Sequence, residues 1–247
     1  MSNSDVVDEK TLESLQYDAR ILCLGDSWTE GLCEDSVFEI EGEDGKGQWV
    51  MTNPHPYAMK MRDVLNKELG WNVRVDINAV SGDCVHPSDG KFRTRLSASL
   101  SKAEKEKKEY SHVIVLGGLN DLVEWQEKPE DVFQELKGLW ESALLHGEET
   151  RVFGCTLPEI ANPGNEEYAD LIPLREKLNK LIRGYCNGFH PRLKLLDLDR
   201  KYPLTSLPDA KRKELWQADG VHPRRVGYDA LGELVGNTIV SEFRSRK

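Results

Sequence analysis

Five short apolar runs, at residues 20–24, 73–80, 112–116, 151–157 and 193–198, place the tightest limit on how this chain can fold. Runs of this length, rich in Val, Ile and Leu and bounded by turn residues, read as strands buried on both faces. Between them lie stretches with apolar residues at helical spacing. In 56–70 a proline opens the pattern, Gly70 closes it, and Tyr57, Met61, Val64 and Leu65 form one stripe. Further helices are predicted over 92–110, 130–146, 166–186, 208–216 and 224–243, with Pro173 kinking or breaking the 166–186 helix near its start. Strand and helix alternate five times, which implies a five-stranded parallel sheet with helices on both faces. Right-handed crossovers would bring every strand's C-terminal end to one edge.

The 247 residues fit a single domain over 19–247, preceded by a polar, acidic leader at 1–18 with one short helical turn near 11–16. Lys and Arg total 33 against 43 Asp and Glu, a net charge of −10, which argues against nucleic acid or an anionic membrane as partner. The start of the chain has no basic and apolar signal-peptide pattern, and no window approaches 18 apolar residues, so no membrane span is expected. Five widely spaced cysteines (Cys23, Cys33, Cys84, Cys155, Cys186) form no Cys-x-x-Cys pair, so neither a zinc site nor a redox motif is suggested. A cytoplasmic, reducing location is the expectation. Residues 31–56, rich in glycine and acids, read as a long insertion with a hairpin turn at 42–47, placed to serve as a rim or lid.

The chemistry sits in the turns. Gly25-Asp26-Ser27, Ser81-Gly82-Asp83 and Gly117-Gly118-Leu119-Asn120-Asp121 each follow an apolar run, and a parallel sheet puts all three on one edge. A fourth, Asp219-Gly220-Val221-His222-Pro223, precedes the last helix. Taken singly these residues are ordinary: Ser27 reads as a helix cap, Asn120 as a turn former, and Asp219 as a cap or a partner of Arg224. Taken together they supply a hydroxyl, an imidazole, a carboxylate three residues from it, a carboxamide and a backbone N–H beside a glycine. Acyl transfer to serine needs this set. Ser27 is then the nucleophile, His222 the base and Asp219 its partner, with Asn120 as an oxyanion donor. Asp26, Asp83 and Asp121 are expected to hold the loops by accepting backbone N–H bonds. His55, His86, His112, His146 and His190 have no acid at comparable spacing and read as structural.

The four turns resemble, in order, the sequence blocks of the SGNH hydrolases, the GDSL-type esterases and lipases. Gly25-Asp26-Ser27-Trp28-Thr29-Glu30-Gly31 is similar to that family's first block, Asn78-Ala79-Val80-Ser81-Gly82-Asp83 to its second, Gly118-Leu119-Asn120-Asp121 to its third and Asp219-Gly220-Val221-His222-Pro223 to its last. The resemblance implies a flavodoxin-like three-layer α/β/α sandwich and a serine hydrolase needing no metal or cofactor. It also implies an oxyanion hole from the Ser27 N–H, the Gly82 N–H and the Asn120 side chain. The expected substrate is a small carboxylic ester, short acyl or acetyl, with a carbohydrate deacetylase or a lysophospholipase as alternatives. Trp28, Trp49 and Trp125 are candidates for a substrate rim, each equally readable as packing. Two rivals are weighed: a two-metal phosphoesterase, for which one histidine in four blocks is too few, and a non-catalytic flavodoxin-like binding protein.

Overall fold

The computed structural model describes residues 17–41, 48–88, 90–160 and 168–246. Most of the expected leader, the turn 42–47 and the start of the helix expected from 166 lie outside the described residues. In chain order the elements are β1 (Ala19–Gly25), α1 (Ser27–Glu30), β2 (Val37–Glu41), β3 (Gln48–Thr52), α2 (Tyr57–Leu69), β4 (Val73–Ala79) and α3 (Phe92–Lys105). They continue with β5 (His112–Leu116), α4 (Leu119–Val123), α5 (Pro129–Leu144), β6 (Arg151–Cys155), α6 (Leu171–Cys186) and β7 (Leu193–Leu196). The chain closes with α7 (Leu198–Lys201), α8 (Asp209–Leu215) and α9 (Arg225–Arg244).

The main sheet has five parallel strands in the order β4-β1-β5-β6-β7. Every residue of β1 is buried, as a continuous apolar run in a central strand must be. Its side chains alternate between the two faces: Ile21 and Cys23 join the core under α2 and α9, while Leu22 and Leu24 join the core under α3, α5 and α6. This is the three-layer α/β/α sandwich the alternation predicts. The chain goes from β1 to β4 on one side, then returns across β1 to β5 on the other. Adjacent connections diverge there, so the end of β1 lies at the switch point where open α/β sheets leave a crevice.

Two expected helices are shorter than their patterns. α3 stops at Lys105 because Lys107 takes a left-handed φ of 52°, and Tyr110 turns back into the core. α6 begins at Leu171, so Pro173 falls in the first turn and neither kinks nor breaks it. The 31–56 insertion contains the expected hairpin, β2 paired antiparallel with β3 from Val37–Thr52 to Glu41–Gln48. Its root is tied to the start of α9: Glu34 accepts the Arg225 N–H at 3.1 Å and Asp35 accepts Arg225 Nε–H at 2.9 Å. Beside them His55 Nε2 lies 3.0 Å from Asp229 Oδ1, an acidic partner that sequence spacing does not reveal.

Candidate active site

The end of β1 turns so tightly that a side chain would not fit. A Cβ on Gly25 would stand 2.8 Å from the Leu116 carbonyl oxygen and closer still to Thr29. The next residue, Asp26, caps α1 by accepting the Trp28 N–H at 3.0 Å. With Asp26 as the cap, Ser27 is relieved of that task. Its side chain is free to face another loop, and its Oγ lies 2.9 Å from His222 Nε2. Ser27 is only 7 % exposed.

His222 is held by a local device. One oxygen of Asp219 accepts the Val221 and His222 N–H groups at 2.9 and 3.0 Å; the other lies 2.7 Å from His222 Nδ1. A ring proton on Nδ1 is donated to that carboxylate, which leaves Nε2 to accept from the serine hydroxyl. Burial pushes the Asp219 carboxyl up, but the ring and backbone N–H groups outweigh it and hold it below its ordinary range. Asp219 neither caps α9 nor pairs with Arg224, whose guanidinium lies 3.6 Å from Glu34 instead. The loop is fastened from below: Gln217 Nε2 donates to the Leu32 and Pro223 carbonyls at 3.1 and 3.0 Å, and the buried Tyr228 hydroxyl donates to Leu32 O at 3.1 Å.

The other two turns converge on the same edge. Gly82 has a φ of +78°, the left-handed region that favours glycine, and a Cβ there would meet nothing within 4 Å. Asn120 donates one Nδ2 hydrogen to the Asp83 carbonyl at 2.9 Å, which fixes its carboxamide and leaves the second hydrogen for a ligand. Among the described residues the Ser27 and Gly82 N–H groups have no backbone acceptor. The three aspartates each accept backbone N–H bonds. Asp26 takes Trp28; Asp83 takes Cys84 and Lys91 at 3.0 and 2.8 Å; Asp121 takes Val85 and His86 at 3.1 and 2.9 Å. Burial pushes the Asp26 carboxyl up to about 7, against the pull of the Trp28 N–H and of His222, and Asp121 adds to the rise. Asp121 is likewise raised by burial, its backbone N–H partners opposing.

Two residues in this cluster escape sequence reasoning. Arg95, on what the sequence presents as a charged outer helix, donates to Asp83 Oδ2 through Nε at 2.9 Å and to the Gly25 carbonyl through Nη2 at 2.9 Å. It also reaches the Asn78 carbonyl, so one guanidinium joins the ends of β1 and β4 to the Gly82 turn. Glu30 accepts the Ser81 N–H at 2.6 Å and the Ser81 hydroxyl at 2.8 Å. Neither bond is local, and spacing carries no trace of them.

The three tryptophans part company. Trp28 is 2 % exposed and packs edge-on against Tyr202, Trp216 and Tyr228, so it is core and not rim: the start of α1 points it down into the layer under α9. Trp125 is 53 % exposed, and its side chain reaches the Cys84 thiol beside the Gly82 turn. Trp49 lies in β3 opposite Ile40, and its side chain lies outside the described residues.

A serine, an imidazole and a carboxylate in hydrogen-bonded sequence at the switch point of a flavodoxin-like sheet define a serine-hydrolase type of site. The chain belongs to the GDSL-like lipase/acylhydrolase family, whose description matches residues 23–230. It is therefore a serine ester hydrolase, as the sequence blocks predict. No curated protein matches the sequence. Similar solved structures include a lipase/acylhydrolase from Enterococcus faecalis (20 % identity, TM-score 0.59, covering 91 % of this chain and 96 % of that one). An inhibitor-bound aryl esterase from M. smegmatis is 18 % identical, with TM-score 0.59 and coverage of 90 % and 99 %. A carbohydrate acetylesterase from Sinorhizobium meliloti is 16 % identical, also with TM-score 0.59 and coverage of 90 % and 99 %. At these identities the likeness is one of fold.

Proposed function

We propose that Ser27 is the nucleophile, that His222 is the general base and then the general acid, and that Asp219 orients the ring. The supporting observation is the chain of short contacts from Ser27 Oγ to His222 Nε2 and from Nδ1 to Asp219. In this mechanism His222 removes the hydroxyl proton as Oγ attacks the ester carbonyl. The oxyanion of the tetrahedral intermediate is received by the Ser27 N–H, the Gly82 N–H and the second Nδ2 hydrogen of Asn120. His222 then protonates the departing alcohol, and a water repeats the sequence on the acyl-enzyme.

The proposed substrate is a small carboxylic ester carrying a short acyl or acetyl group. Two exposed apolar side chains, Val80 and Trp125, flank the open space at Gly82 and suit a compact acyl group or the face of a sugar or aryl leaving group. Structural likeness to a carbohydrate acetylesterase favours acetylated saccharides as the second reading. A single domain over 19–247 and a cytoplasmic location complete the proposal. The location is supported by five cysteines that are all free, and no helix among the described residues is long and apolar enough to cross a membrane. Labelling with a fluorophosphonate followed by peptide mapping tests the assignment. The adduct is expected on Ser27, and an unlabelled protein, or one labelled elsewhere, would overturn it.

A further inference from the structure

A cavity adjoins the His222 loop on residues that take no part in the proposed catalysis. Its volume is about 480 Å³, within the ~300–1,000 Å³ range of small-molecule sites. Arg212, Lys213, Trp216, Gln217, Ala218 and Arg224 line it, and none of Ser27, Gly82, Asn120 or His222 does. In a chain of net charge −10, every ionisable side chain lining this cavity is a cation. Arg212 is bonded to the exposed Asp209 and Arg224 is near Glu34, so part of that charge is offset from outside the cavity. Lys213 is exposed and forms no ion pair among the described residues.

Two lining side chains also carry buried donors without an acceptor among the described residues, Trp216 Nε1 and Arg224 Nε. Arg224 is the N-cap of the 20-residue α9, so the positive end of that helix dipole adds to the same field. The rest of the lining is Gln217, Ala218 and the small exposed part of Trp216, which is 2 % exposed. The walls are stitched: Arg224 N–H donates to Leu215 O at 2.7 Å, and Gln217 N–H donates to His222 O at 2.9 Å.

We infer that this cavity binds a small organic anion with an apolar body, of the carboxylate class. The cationic heads take the carboxylate, and the alkyl stems of Arg212, Lys213 and Arg224 with the Ala218 methyl take the chain. Trp216, Gln217 and Ala218 run straight into Asp219, so an occupant would bear on the segment that carries His222. The acid released by ester hydrolysis belongs to this ligand class; that link rests on the proposed function, whereas the site does not.

Calorimetric titration with sodium octanoate tests the site on the full chain, with and without prior fluorophosphonate treatment checked by mass. Saturable binding at one site is expected in both preparations, weakening as salt rises. In Lys213→Glu it is expected to be at least tenfold weaker, with kcat and KM on p-nitrophenyl acetate unchanged. Inorganic phosphate, which lacks the apolar body, is expected to bind at least tenfold more weakly than octanoate. Absence of saturable binding, equal affinity in Lys213→Glu, or phosphate binding as well as octanoate would each overturn the inference. So would loss of binding in protein shown by mass to carry the adduct, since octanoate would then be occupying the reactive site. Failure of the adduct to form bears only on the proposed nucleophile, and the Lys213→Glu comparison then decides the cavity by itself.

Discussion

The two halves of the site are built by opposite means. The Ser27, Gly82 and Asn120 turns are laced together by partly buried bonds between residues far apart in sequence. Arg95 spans Asp83 and Gly25, Glu30 holds Ser81, and Asn120 holds Asp83. The His222 turn instead shapes itself within four residues, and the Asp219 side chain is 42 % exposed. One half is fixed by the fold and changes only if the fold does. The other is a self-contained turn docked onto the fold through Gln217 and Tyr228. The nucleophile side is thus vulnerable to loss of remote partners, and the base side to loss of its own few atoms.

The largest expected effect removes the chemistry on both sides at once. Ser27→Ala and His222→Ala should each lower turnover of p-nitrophenyl acetate by about 10⁴-fold or more while leaving the melting temperature nearly unchanged. Wild-type-like activity in either would contradict the assignment. Arg95→Met separates the halves: it strands Asp83 as a buried carboxylate and should cost on the order of 3–5 kcal/mol in denaturant unfolding. No single change in the Asp219–His222 turn should destabilise the protein as much. Asn120→Ala should lower kcat by about 10²–10³ with a smaller change in KM, because the oxyanion forms only on the way to the transition state. A rise confined to KM would place Asn120 in ground-state binding.

Glu30→Gln should act more mildly. It keeps one acceptor for Ser81 but loses the charge, about 1–2 kcal/mol in the placing of the Gly82 turn. This should appear as roughly a tenfold fall in kcat/KM.

The smallest effect concerns pH. The folded pKa of Asp26, about 7, lies above the unfolded value near 3.8. Its contribution is therefore fully present below about pH 4 and is lost as pH rises toward 7. Asp219 has the opposite sign: its lowered folded pKa contributes stability above the unfolded value, lost as pH falls below it. Urea titrations of Asp26→Asn between pH 4 and 8 should lack the decline contributed by Asp26. An unchanged slope would remove Asp26 as its source.

The parallel sheet and the four turns were legible because each is written locally, as apolar runs, glycines and residues within three positions of one another. What was illegible is long-range. Arg95 and Gly25 are 70 residues apart, and Glu30 and Ser81 are 51 apart. Even a local signal can mislead. Ser27 and Glu30 stand at the spacing of a capping box, yet Asp26 does the capping, and both side chains turn away to His222 and Ser81. Trp28 misleads likewise, since a large aromatic inside a polar turn looks exposed until the helix direction is known. The helices α1, α4 and α7 are too short to show a period at all.

The burial of Trp28 also gives the molecule an optical gauge. Trp28 follows the serine in the laced half, Trp216 precedes the histidine loop in the docked half, and their rings meet at 5.4 Å, inclined at 64°. Two indoles so close and so oriented couple their excited states and impose a strong chiral signal in the near ultraviolet. Any excursion that lifts the His222 loop off the sheet edge must part that pair. The protein therefore carries, without label or substrate, a spectroscopic measure of whether its two halves are assembled.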